Sequence, residues 1–381
     1  MPARRAPSAV DARSSPGVPP RRTSPTAQLL AVFAALAVLL TGCAQAERTA
    51  APAEVGEGGA LKLRFMTTSP SFTDLPTAVI LARGYFDKVG LDVSVQHGAS
   101  SAPLITQSVM SGDADIGSSG TGALYSAYGE GMTELVGLGS TNRSVTFGLA
   151  LNQETADKLA ERGVTPDSPA RERVRALRGL KLTTSPQGST GNSYLRAMLT
   201  EYGVDPDDDV TIMPNNDPTA QIASTRRGRA DGFAQSFPRP NFPEAEGWGV
   251  VWLNWVRDLP QLLPLASHDY YTTRAWLKTN PEAAKRFMKA LWLAHRDLQN
   301  PTAELRDAVR ELPEFADLNR KAFESGWDMA VQAYKGATPL TTKAMFDKQV
   351  ELVDAERPSP LRIAYEDVYD LRPAQAARPK P

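Results

Sequence analysis

Five short polar stretches of this chain combine serine, threonine and glycine in a way suited to gripping a small molecule by hydrogen bonds. They are Thr68-Ser69, His97-Gly98-Ala99-Ser100, Ser118-Ser119-Gly120-Thr121, the run from Ser185 to Asn192, and Gln235-Ser236-Phe237. Glycine has no Cβ, so neighbouring N–H groups can come close to a ligand oxygen, and each hydroxyl adds a donor. Taken singly these are ordinary turn and cap residues. As a group they define a candidate set: Thr68, Ser69, Phe72, Ser100, Ser118, Ser119, Gly120, Thr121, Gln187, Ser189, Thr190, Gly191, Asn192, Ser236 and Phe237. Arg239, in "QSFPRPNFP", is the one arginine close in sequence to these loops. It is either a solvated turn residue or the counter-ion of an anion.

Other chemistries find little material. The single cysteine excludes an intramolecular disulfide and a CxxC redox or zinc cluster, and three histidines leave little for a metal site. There is no G-x-S-x-G elbow, phosphate loop, H-E-x-x-H or dinucleotide fingerprint, although His97 or His268 could still join a serine triad in space. "VDPDDDV" lacks the glycine and closing glutamate of a calcium loop. Lys+Arg 42 against Asp+Glu 43 gives no bias toward nucleic acid. The reading is therefore binding, with no catalytic residue, no metal and no cofactor.

The five loops share a position: each follows a β-like run and most precede a helix-like one. "LKLRFM" alternates as a strand, and a helix opens near Asp74 with Pro76 in its first turn and stops at Gly84. "GLDVSV" and "ADIGSS" supply further strands, separated by a helix from Pro103 to Gly112. "LKLTT", "VTIM" and "ADGFAQ" repeat the scheme, with helices from Gly191 to Tyr202 and over "PTAQIASTRRG". The motif "TTSP" recurs at Thr67 and Thr183, and "SGDADIG" is echoed by "RGRADGF" at the same offset. This predicts an α/β protein of two doubly wound lobes, with ligand loops beyond the carboxyl ends of the strands. Residues 144–156, an apolar strand, and the tryptophan-rich "EGWGVVWLNWVRDLP" lie outside the parallel pattern and are expected to carry the two crossovers, with the hinge near 144–156 and 238–256. Trp248, Trp252 and Trp255 are there for core packing or for stacking on a ligand. Asn280-Pro281-Glu282 opens a helix whose Ala284, Phe287, Met288, Leu291, His295 and Leu298 share one apolar face. The helices that follow brace the lobes.

The N-terminus reads as an export address. An arginine-rich start precedes an apolar run from Ala27 to Leu40, short of the roughly 20 residues a bilayer requires. It ends in Leu40-Thr41-Gly42-Cys43, which looks like a bacterial lipobox with Cys43 as the lipidated residue. Residues 1–42 are then a signal peptide and 43–60 a flexible tether.

"TAVILARGYFDKVGLDVSV", "MSGDADIGSSG", "LRGLKLTTSPQGSTGNSYLRAMLTEYGVDPDDDVTIM" and "YYTTRAWLKTNPEAAKRFMKALWLAHRDLQNP" together resemble the solute-binding proteins of ABC importers, in the nitrate/sulfonate/taurine and thiamine-precursor branch. The resemblance covers about residues 61–305. It implies a periplasmic-binding-protein-like (type II) fold whose two lobes close by a two-segment hinge on a small molecule, a monomer that hands its ligand to a permease and its ATPase. Lobe 1 is assigned 61–148 plus 251–381 and lobe 2 149–250. The helix start at Ser189–Asn192 and Arg239 point to an organic anion such as a sulfonate or carboxylate. A lipoprotein that senses rather than transports, and a secreted hydrolase, are the alternatives.

Overall fold

The computed structural model describes residues 50–68, 70–97, 102–187, 189–260, 264–355 and 357–380. Cys43, Ser69 and Ser100 lie outside the described residues. Ten strands occur among them: β1 (Leu61–Thr67), β2 (Leu91–His97), β3 (Ile116–Gly120), β4 (Leu135–Ser140), β5 (Phe147–Asn152), β6 (Lys181–Thr184), β7 (Thr211–Pro214), β8 (Gly232–Ser236), β9 (Gly249–Asn254) and β10 (His268–Thr273). They make two sheets of the same plan, β2-β1-β3-β10-β4 and β7-β6-β8-β5-β9. In each, the first three strands are parallel and the fourth runs antiparallel to its neighbours. The antiparallel strand is the one on which the chain arrives from the other sheet.

The sequence echo is structural. Gly112 and Gly228 both adopt left-handed φ (82° and 68°) and end helices that lead into β3 and β8. Three residues on, Asp115 and Asp231 play one role. Asp115 Oδ2 accepts from Arg64 N at 2.7 Å, and Asp231 Oδ2 accepts from Lys181 N at 2.7 Å. Each aspartate thus caps the first strand of its sheet and sets β3 or β8 beside it. The two "TTSP" motifs follow from this. They sit at the ends of β1 and β6, the central parallel strands.

The expected strand in 144–156 is present, and the crossovers only partly overlap the expected segments. Phe147–Asn152 is buried along its whole length and pairs with both β8 and β9, so it is a central strand. Gly249–Asn254 is a strand of the same sheet. A continuous apolar run is what two-sided burial demands, and that is why these segments lacked alternation. The connecting segments are 141–146 and 255–267. Trp252 and Trp255 are buried in the core of the second sheet, and Trp248 lies at its surface with Arg226 over its ring.

The helix Pro281–Gln299 buries the expected stripe, and Phe287 sits edge-on to Phe65 at 5.2 Å and Tyr270 at 5.6 Å. His295 is buried there beside Tyr334, and burial pushes its imidazole down to about 3, so it stays neutral. Asn280 does not cap that helix. Its amide accepts from Ala53 N at 2.6 Å and donates to Ala51 O at 3.1 Å. Residues 50–55 are thereby pinned to the first sheet, so the tether is shorter than 43–60.

In the second lobe a buried ion pair ties β9 to the helix Ala170–Arg175. Arg173 Nη1 donates to Asp258 Oδ2 at 3.0 Å and to Trp252 O at 2.6 Å. Burial would raise the Asp258 carboxyl, but hydrogen bonds from Arg257 and Arg173 hold it below its ordinary value. Replacing Arg173 by Met leaves that carboxylate with Arg257 and the Asn254 N–H and should cost about 1.5–3 kcal/mol for the lost charged hydrogen bonds. A carboxyl with a depressed native pKa lends stability above its unfolded value, lost as pH falls through the native one. Urea unfolding of Arg173→Met should therefore show a large loss at pH 7 that shrinks toward pH 3. A loss independent of pH would mean that the side chain's packing, and not the pair, carries the effect.

Candidate ligand-binding site

The carboxyl ends of the parallel strands in the two sheets face one another. Phe72 N, just after β1, donates to Phe237 O, just after β8, at 2.9 Å. Thr146 Oγ1 meets Thr73 Oγ1 at 3.0 Å, and Thr141 Oγ1 donates to Thr73 O at 3.1 Å. Further along the seam a Cβ at Gly120 would collide with Thr190 Oγ1. Glycine at this strand end is what permits the approach.

Asp74 is the centre of the first mouth. It is buried, and its Oδ1 accepts from Tyr270 OH at 2.5 Å and Thr77 Oγ1 at 2.9 Å. Its Oδ2 accepts from Thr67 Oγ1 at 2.9 Å and Ser118 Oγ at 3.4 Å. The residue expected as an N-cap thus gathers β1, β3 and β10 around one carboxylate. A small groove of about 20 Å³, the size of one water, lies beside it and is lined by Thr67, Thr68, Pro70, Ser71, His97 and Glu314 among others.

The candidate residues divide. Thr68 lines that groove. Ser118 is bound to Asp74 and Ser119 to Tyr271 OH at 3.0 Å. Thr121 is buried at the head of the helix Thr121–Gly129, its N–H on Ser267 O. Ser189 caps the helix Thr190–Glu201: its Oγ accepts from Asn192 N at 3.4 Å and donates to Pro186 O at 2.5 Å. Asn192 turns inward to Ser185 O and Arg196. Gly191 packs on Phe147, Gln187 is exposed, and Ser236 accepts from Arg239. Phe72 and Phe237 are fully buried core residues, Phe72 against Phe315, Phe323 and Trp327. Most of the serine hydroxyls thus hold the loops in shape.

Arg239 remains available. Its Nη2 donates to Pro70 O across the seam at 3.3 Å and its Nη1 to Ser236 Oγ at 3.4 Å, and among the described residues no carboxylate lies within ion-pair distance. Burial pushes the guanidinium below its ordinary value, with the Asp217 carboxylate opposing. Sequence reasoning missed a second polar group around the crossovers. Ser267 Oγ donates to Asn142 Oδ1 at 2.8 Å, and Tyr194 OH to Gln349 Oε1 at 3.3 Å. These residues come from four separate segments, and no local motif announces them.

The model of the NMT1-like family matches residues 61–312. The chain belongs to the NMT1-like family. YtlA of Bacillus subtilis (strain 168) is 22% identical over 326 residues, 82% of this chain and 89% of that protein. The alkanesulfonate-binding protein SsuA from Xanthomonas axonopodis pv. citri, solved bound to MOPS, superposes with a TM-score of 0.61 at 14% identity, covering 81% of this chain and 97% of that one. The nitrate-binding protein NrtA from Synechocystis PCC 6803 gives 0.61 at 15%, covering 84% and 88%. These likenesses establish the periplasmic-binding-protein fold. For this NMT1-like chain the strand-end seam is the place in an open α/β fold where ligands bind.

Asp269, on β10 beside Thr121, is a wholly buried acid in this NMT1-like chain. It accepts from Tyr369 OH, and burial pushes its carboxyl up to about 7 against the hydrogen bond from Tyr369. An acid raised in the native state favours folding at low pH, and that contribution is lost as pH rises through about 7. Wild type should therefore lose urea stability between pH 5 and 8 more steeply than Asp269→Asn. Parallel curves for the two proteins would show that Asp269 ionises without cost.

Proposed function

We propose that this chain is the extracytoplasmic solute-binding lipoprotein of an ABC importer, with its lobes, 61–140 plus 268–381 and 147–254, closing by a hinge on a small organic anion of sulfonate, nitrate or taurine type. The observation that carries the anion is Arg239, a half-buried cation at the seam whose hydrogen-bond partners are one carbonyl and one hydroxyl. A half-buried guanidinium with no carboxylate at ion-pair distance gains from an anionic partner. In the helix Thr190–Glu201 Asn192 N and Ser193 N are taken by Ser189, so the Thr190 and Gly191 N–H groups are the backbone donors proposed as a second pole of the same sign. Backbone N–H groups and Arg239, rather than the serine side chains, are the donors in this reading. In this reading a permease and its ATPase read closure, and the protein acts as a monomer. A thiamine-precursor-like ligand would instead present a neutral ring to the seam, which Arg239 does not favour.

Calorimetry against alkanesulfonates, taurine, nitrate and a neutral pyrimidine should find an anion as the preferred ligand. Arg239→Gln should weaken it by at least tenfold, since a hydrogen bond to a charged group contributes roughly 1.5–3 kcal/mol. Ser189→Ala, by contrast, should chiefly cost about 1 kcal/mol of stability as a lost cap. Unchanged affinity in Arg239→Gln would rule out the anion.

The anchor is proposed at Cys43, with two acyl chains giving stable attachment where one is marginal. Wild type should enter the detergent phase on partitioning and Cys43→Ser the aqueous phase. Aqueous behaviour of both would sink the lipid anchor and leave the solute-binding reading standing.

A further inference from the structure

We propose that the helix Lys343–Asp354 is a closing latch, a non-covalent connection between the two sheets in addition to the strand-end contacts, that sets how readily the seam closes. The helix is capped by Thr342, whose Oγ1 accepts from Met345 N at 3.3 Å. One side of it belongs to the first sheet. Phe346 packs on Tyr125 at 5.0 Å, on Tyr365 at 5.8 Å and on Tyr369 at 6.3 Å. The other side belongs to the second. Leu352 is buried in the cluster of Tyr194, Leu195 and Met198, and Gln349 Oε1 accepts from Tyr194 OH at 3.3 Å. Tyr194 is itself fixed on the helix Thr190–Glu201 and edge-on to Phe147 of β5 at 5.8 Å.

The two attachments are unequal. Three ring contacts hold Phe346, and a Cβ at Gly122 would lie 3.3 Å from Val353 Cγ2, so the helix sits close on the backbone of its first-sheet neighbour. Across the seam there is one long hydrogen bond and one leucine. Gln349 is fully buried and its Nε2 has no partner, so its amide is only half satisfied even when the bond to Tyr194 is made. The segments 141–146 and 255–267 are covalent and cannot part. The Gln349–Tyr194 contact can, and the helix then stays with the first sheet. Closure makes that contact and buries Leu352; opening breaks the one and wets the other. The latch therefore favours the closed state in the absence of ligand, and a ligand that binds the closed state inherits the bias.

The effect on affinity rests on the binding reading above, but the latch is a property of the unliganded protein and is tested there. Spin labels at Glu161→Cys and Lys289→Cys, both exposed and one on each lobe, in a Cys43→Ser background, report the distance between lobes. Tyr194→Phe and Leu352→Ala should each shift the unliganded distribution to longer distances. Tyr194→Phe removes one oxygen and keeps the ring, so it controls for any loss of fold in Leu352→Ala, and melting curves check both. Apparent Kd for a bound anion should rise about three- to tenfold, the range expected for one neutral hydrogen bond acting through the closed population. If both variants keep the wild-type distribution, the latch is overturned whatever the ligand. If the distributions shift while no anion binds wild type, the latch stands and the solute-binding reading fails.

Discussion

A buried carboxylate with four hydroxyl donors organises the first strand mouth, and the geometry of the seam follows from it. Asp74 sits where β1 turns into a helix, and the donors that reach it come from β1, β3, β10 and that helix. A buried acid without hydrogen bonds would be intolerable, so these four segments are obliged to converge. Tyr270 brings β10, the strand that returns from the second lobe, into register with β3 and β4. The return crossover is thereby aimed at the seam. Tyr334, donating to Phe72 O at 2.6 Å and Thr73 O at 2.9 Å, fixes the loop that follows β1 from the opposite side.

The repeat was legible because it is local. Each "TTSP" and each Ala-Asp pair is read within a few residues of the strand it terminates, and the glycines before β3 and β8 need left-handed φ that other side chains adopt at a cost. Helix placement was legible for the same reason, with Gly84 at φ 62° ending the first helix as its position suggested. The crossovers were only partly placed because β5 and β9 are buried on both faces. A strand covered on both sides loses the alternation that separates strand from linker, and the apolar run alone does not say which sheet it joins. The role of Asn280 was misread for a different reason. Its cap position is real, but a cap asparagine has an amide that distant backbone can recruit, and Ala51 and Ala53 do so.

The site was legible as a region and not as a set of side chains. Hydroxyls at strand ends mark where a mouth is, yet the sequence does not say whether a hydroxyl faces a ligand or its own loop. Ser189 illustrates the ambiguity, since the same atom that could donate outward accepts the helix's Asn192 N–H. Asn142, Ser267, Tyr194 and Gln349 were invisible because their proximity is created by the crossovers and by a C-terminal helix more than a hundred residues from Tyr194. Only the assembled fold puts them in contact.

Arg239 gains its meaning from what the two mouths do to charge. Asp74 has four hydroxyls of the protein's own around it, so its side of the seam is already compensated. Arg239 has a carbonyl from one lobe and a hydroxyl from the other, both at long distance. A carboxylate supplied by the protein would have closed this site permanently, whether or not ligand was present. In the proposed reading, leaving the guanidinium without one keeps a place at the seam for an anion from outside to pair with it. It also sets the selectivity proposed above: a neutral ligand of the same shape would leave the cation unpaired, a penalty that good packing alone does not repay.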